Sequence, residues 1–114
     1  MNPSLKSRFW VEALLRRCQG NGKFGAVMTV GADDAGSVYV AINHLNSFYD
    51  LLGPPAGPTH NEAGERLFRK VFAAPVSWED IRAYVEKQRK FDSDIWLVEI
   101  EDRVGMAGLQ WVAE

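Results

Sequence analysis

The chain has 114 residues, 46% hydrophobic and 25% charged, and thirteen Lys/Arg against fifteen Asp/Glu leave a net charge of −2. That length supports one hydrophobic core and not two, and the charge balance excludes a globally basic nucleic-acid coat or a polyacidic tail. The lone Cys18 excludes an intrachain disulfide framework and a cysteine-based zinc site.

The first segment, Pro3 to Gln19, reads as a helix with Asn2 as N-cap, Pro3 at the first helical position and Gly20 closing the end in a left-handed conformation. Helical spacing gathers Trp10, Val11, Leu14, Leu15 and Cys18 on one arc, the expected core face. Leu5, Phe9 and Ala13 lie off that arc, beside Glu12 and Arg16, so Phe9 is a large aromatic on the expected polar face. Glu12 also breaks the apolar run that a secretory leader needs, and Arg16 and Arg17 stand where a small-residue cleavage site belongs. No apolar stretch approaches the roughly 18 residues of a membrane span. A reducing, cytoplasmic setting is the expectation.

Two alternating runs follow, Lys23–Val30 and Ser37–Asn43, joined by the turn formers Gly31-Ala-Asp-Asp-Ala-Gly36. This pattern predicts an antiparallel hairpin. A third, less regular strand is expected around Ser47–Leu52. Gly53 to Glu65 holds three prolines and three glycines without a large apolar side chain, and reads as a long surface loop. Arg66–Ala73 alternates again and returns the chain to the sheet. A second helix runs from Trp78 to about Lys90: Ser77 is its N-cap, Asp80 sits in the capping-box position, and Val76 with Ile81 form the hydrophobic staple. Ile95–Glu101 is a further strand. Leu109–Val112 adds a short last one, held by Trp111, in a tail (residues 104–114) expected to be loosely ordered. The order α-β-β-β-β-α-β predicts a single α+β domain over residues 1–114, a mostly antiparallel sheet of about five strands with two helices packed on one face.

With these segments laid out, Leu5-Lys-Ser-Arg-Phe-Trp10, Leu14-Leu-Arg-Arg-Cys18, Gly64-Glu-Arg66 and Gln88-Arg-Lys-Phe-Asp92 with Trp96-Leu-Val-Glu-Ile-Glu-Asp-Arg103 resemble the bacterial domain-of-unknown-function family numbered 1491. The resemblance runs from Leu5 to about Arg103 and leaves out the tail. It implies a small, stand-alone cytoplasmic bacterial protein, and it implies no activity, no cofactor and no site residues.

The residues that suggest chemistry have competing structural readings. Gly20-Asn-Gly22-Lys-Phe-Gly25 matches a dinucleotide-binding pattern, but a helix precedes it and a strand follows, the reverse of what a phosphate site at a helix N-terminus requires. Cys18 lies on the core arc at a helix C-terminus, where the dipole disfavours a thiolate. His44 and His60 are the only histidines. A metal set (His44, His60, Asp50, Glu62) or a triad (Ser47, His44, Asp50) can be drawn, but no spacing preforms either. Neither a catalytic nor a metal assignment follows, and loop positions account for both histidines.

Charge is unevenly placed. Residues 1–23 carry five Lys/Arg against one Glu, whereas Phe24 to Glu65 carries five Asp/Glu and no cation. The aromatic-plus-arginine composition of Leu5, Phe9, Arg16 and Arg17 therefore points first to a non-enzymatic protein-interaction module or homodimer using the basic first helix. Nucleic-acid binding through the same helix is disfavoured by the net charge and by the lack of stacking motifs. A ligand site or enzyme built on the 53–65 loop with His44 and His60 is the third alternative. Trp111 is a further interface residue if the tail is exposed.

Overall fold

In the computed structural model, which describes residues 6–112, both amphipathic segments are helices, α1 (Ser7–Gly20) and α2 (Trp78–Arg89). The second begins as its capping signal dictates, with the Asp80 amide donating to Ser77 Oγ at 3.2 Å. The first starts later than expected. Lys6 is extended and offers no side-chain cap, while Asn2 and Pro3 lie outside the described residues. The loop at 33–34 caps α1 instead, because the Ser7 and Arg8 amides donate to the Asp34 and Asp33 carbonyls at 3.3 and 3.0 Å. At its other end the left-handed residue is Gly22 rather than Gly20.

Six strands, β1 (Gly25–Thr29), β2 (Val38–Asn43), β3 (Tyr49–Gly53), β4 (Leu67–Lys70), β5 (Trp96–Glu101) and β6 (Gln110–Trp111), form one mixed sheet in the order β1-β5-β2-β3-β4-β6. This corrects the expectation of about five mostly antiparallel strands, since β2–β5 and β4–β6 pair in parallel. It also corrects the hairpin: β1 and β2 do not touch, because β5 lies between them. Gly31 and Gly36 do not serve a tight turn. They let the 31–37 segment cross the start of β5 at close range, where a Cβ on either glycine would strike the Asp94 carbonyl. The Trp96 indole fixes the crossing by donating to the Ala32 carbonyl at 2.8 Å, and the Trp96 amide donates to Ser37 at the same distance.

The helices lie on opposite faces of the sheet, not on one. Val11, Leu14 and Cys18 of α1 pack on Val38, Val40, Ile42, Val98 and Ile100. Ile81 and Val85 of α2 pack on Tyr39, Ala41, Leu51 and Leu97. Successive strand residues point to opposite faces, so a strand covered on both sides must be apolar throughout. Val38 to Ile42 is, and all five residues are buried. Trp96 is buried, while Trp10 and Trp78 are half-buried against the two clusters.

One carboxylate ties the start of the C-terminal segment to the body. Asp102 accepts from the amides of Val104 and Gly105 through Oδ1, and from that of Ala107 through Oδ2 at 2.9 Å. Beyond it β6 pairs with β4, and Lys70 lies over the Trp111 ring, which is 44% exposed. Burial alone would raise the Asp102 pKa, but these amides, with Lys23 nearby, outweigh it and hold the carboxyl below its ordinary value of 3.8. Stability from this group is complete above that value and is lost as pH falls through the lower folded one. Asp102→Asn should therefore cost about 2 kcal/mol at pH 7 and flatten the loss of stability below pH 4, as read by urea unfolding across pH 2–7.

Candidate functional site

Between the start of α1, the 31–37 segment and the proline-rich loop lies a cavity of about 290 Å³. Each wall has a local cause. Ser7 is buried and donates from Oγ to the Gly36 carbonyl at 2.6 Å, which docks the helix on the 31–37 segment. Arg8 strengthens the docking with an ion pair to Asp33 at 2.8 Å, its guanidinium over the Trp96 ring. The third wall is the loop, and it is folded rather than loose. Asn61 and Glu65 exchange hydrogen bonds through backbone and side chains, Gly64 takes the positive φ that the turn needs, and His60 pairs with Arg66 in an antiparallel bridge. Leu67 donates to the Thr59 carbonyl at 2.8 Å and fastens the turn to β4.

That turn brings His60 and Arg66 to the cavity lining with Thr59 and Lys6. The Arg66 guanidinium carbon sits 5.0 Å from the Trp10 ring centre, and Trp10 packs on Phe68. Stacking draws the side chain out of water: Nε is fully buried without a hydrogen-bond partner, and burial pushes the guanidinium pKa down. Among the described residues no carboxylate pairs with Arg66. Glu65 is its chain neighbour, but the Glu65 carboxylate accepts from Asn61 instead. His60 lies next to this cation, 3.0 Å through Nδ1 from Thr59 Oγ1. Burial first, and Arg66 second, lower its pKa, so the imidazole is neutral at pH 7. The result is one positive charge, half withdrawn from solvent, beside hydroxyl and imidazole groups able to orient a ligand.

The other residues singled out in the sequence scatter. Phe9 is 57% exposed on the outer face of α1, Arg16 and Arg17 are exposed, and Leu5 lies outside the described residues. Two cations of the basic segment are already engaged, Arg8 with Asp33 and Lys6 with Asp34, which weakens the nucleic-acid reading. Cys18 is buried, with burial raising its pKa. No group of three metal-binding side chains occurs among the described residues, and His44 and His60 belong to different regions. Among the described residues no helix is long and apolar enough to cross a membrane. Sequence reasoning marked His60 but missed Arg66, whose partner Trp10 is far away in the chain.

A family model described as protein of unknown function (DUF1491) matches residues 5–110, further into the tail than the resemblance reached. No curated protein matches the chain. Among solved structures it is similar to the solution structure of protein Atu0922 from A. tumefaciens, with 37% identity over 100% of this chain and 98% of that one, TM-score 0.81. It is also similar to a DUF1491 family protein from Caulobacter crescentus CB15. The crystal structure of that protein gives 31% identity over 95% and 99% of the two chains, TM-score 0.76. Its NMR structure gives 31% over 97% and 99%, TM-score 0.74.

His44 is not the loop residue its surroundings suggested. Its Nδ1 lies 2.7 Å from the Asp102 carbonyl and its Nε2 2.8 Å from Asp50 Oδ2, with both side chains largely buried. A carbonyl only accepts, so Nδ1 donates to it, and Nε2 is left facing the carboxylate. Both ring nitrogens are therefore engaged and none is left for Ser47, which removes the triad. Removing one member strands the other in the interior. His44→Ala should cost about 3 kcal/mol in urea unfolding, with a double-mutant cycle against Asp50→Ala showing strong coupling.

Proposed function

The chain belongs to the DUF1491 family, and we propose that it is a binding protein for a small anion held on Arg66. The observation that carries this reading is the uncompensated guanidinium. Arg66 is stacked on Trp10 and lines a cavity in which no described carboxylate pairs with it. Keeping a cation partly out of water without a counter-charge costs free energy, and a ligand carboxylate or phosphate returns it through charge-assisted, bidentate hydrogen bonds. Neutral His60 and Thr59 supply further polar contacts. The reading is binding rather than catalysis, because the feature that sets this cavity apart is its positioned charge.

The test is thermal unfolding of the full chain with acetate, phosphate and sulfate at constant ionic strength. A bound anion raises stability by about 2.7 kcal/mol at a hundred times its Kd. Arg66→Met, which keeps the apolar stem on Trp10, should abolish that rise and leave the free protein no less stable than the parent. A merely structural arginine would give the opposite pattern. Anion binding should also move the His60 titration upward in NMR, since the anion offsets the Arg66 charge. If no anion shifts the midpoint, the reading fails.

A second reading, contact with a protein partner or a second copy through α1, is favoured by the exposure of Phe9. Ala13 is half-buried beside it, and Arg16 and Arg17 flank it in the sequence. Phe9→Asp should abolish self-association in sedimentation measurements, or a discrete captured partner, and leave the unfolding midpoint within about 1 kcal/mol of the parent. A parent chain that stays monomeric and captures nothing would end this reading.

A further inference from the structure

We infer that the anion is the head of an amphipathic monocarboxylate, its carboxylate on Arg66 and its apolar body against Pro54 and Leu67. The inference rests on the anion reading and adds the class of ligand. Three observations carry it. The first is electrical. Lys6 is paired with Asp34 at 3.5 Å and both line the cavity, so their charges cancel and, among the described lining residues, the remaining free charge is the one on Arg66. His60 adds none, because its surroundings hold it neutral. One carboxylate matches one guanidinium fork. A phosphate dianion would bring a second negative charge that nothing meets, near Asp34 on the rim.

The second observation is the lining. Apart from Arg66, His60, Thr59, the Lys6–Asp34 pair, Ser7 and Ser37, the lining is apolar: half-buried Leu67 of β4 and Pro54 of the loop lie over buried Val38, Pro55 and Phe68. Pro55 is buried, although it belongs to a segment that reads as surface loop. An apolar wall next to one fixed charge suits a ligand with an apolar body and a charged end, and offers little to a fully polar one. The third is size. About 290 Å³ has room for roughly ten water-sized groups, so a bare acetate or phosphate would leave most of the cavity unfilled.

The experiment titrates the full chain with acetate, butyrate and hexanoate, and with inorganic phosphate, at one ionic strength, following backbone amides by NMR. Affinity should rise about fourfold with each methylene and exceed that for phosphate by hexanoate. Arg66→Met should remove binding of every member. Leu67→Ser, shown to be folded by its amide spectrum, should keep acetate binding and flatten the gain along the series; if it does not fold, Arg66→Met carries the comparison. Equal affinities for acetate and hexanoate, or phosphate binding tighter than every carboxylate, would overturn the monocarboxylate class and leave the anion reading intact. A chain-length dependence that survives Arg66→Met would place the carboxylate elsewhere and overturn the assignment. No response to any anion would overturn both readings.

Discussion

The parallel pairing of β2 with β5 is the constraint from which the rest of this structure follows. Six register pairs from Val38↔Trp96 to Asn43↔Glu101 set β5 in the sheet interior, and its other edge is then free to take β1. Two consecutive strands are thereby separated, and the link between them has to pass over the end of the strand that divides them. The glycines at 31 and 36 make that passage sterically feasible. The 31–37 segment, once anchored on Trp96, becomes the surface on which Ser7 and Arg8 dock. The start of α1, and so one wall of the cavity, owes its position to a strand almost ninety residues later in the chain.

Against that frame the cavity chemistry is a problem of one charge. Most cations of this protein sit where water or a carboxylate answers them: Arg8 has Asp33, Lys6 has Asp34, Arg82 has Glu86. Arg66 has an aromatic face instead. Trp10 can hold a guanidinium by cation–π attraction, but it gives the buried Nε no acceptor to donate to. The Asn61–Glu65 exchange matters here for a negative reason, since it occupies the carboxylate nearest in sequence. Two of the segments that carry the family resemblance, Leu5–Trp10 and Gly64–Arg66, meet at this one contact.

Local structure was legible in the sequence where short-range physics decides it. Ser77 and Asp80 marked the start of α2, and helical spacing picked Val11, Leu14 and Cys18 as the buried face of α1. Pairing was not legible, because β2 finds β5 through contacts that no local window contains. A signal was nevertheless present: Val38-Tyr-Val-Ala-Ile42 has no polar position, as an interior strand between two layers requires, and a strand of a one-sided sheet would alternate. The same blindness hid Arg66. In an extended segment a lone arginine defaults to the solvent face, and only the tertiary fold brings Trp10 beneath it. His44 failed differently: it follows the second strand, which suggested a polar loop position, yet its ring turns inward to Asp50.

The late position of β5 also governs the order in which this protein is able to fold. During synthesis β1, β2, β3, β4 and α2 all leave the ribosome before the strand that joins β1 to the others, so the sheet stays divided until β5 has emerged. Until then the edge of β2 that will receive β5 is unpaired and apolar, a template for mispairing between nascent chains. The dominance of long-range pairing implies slow folding for a domain of this size. Shortening the chain from its C-terminal end into β5 would accordingly remove the middle of the sheet rather than its margin.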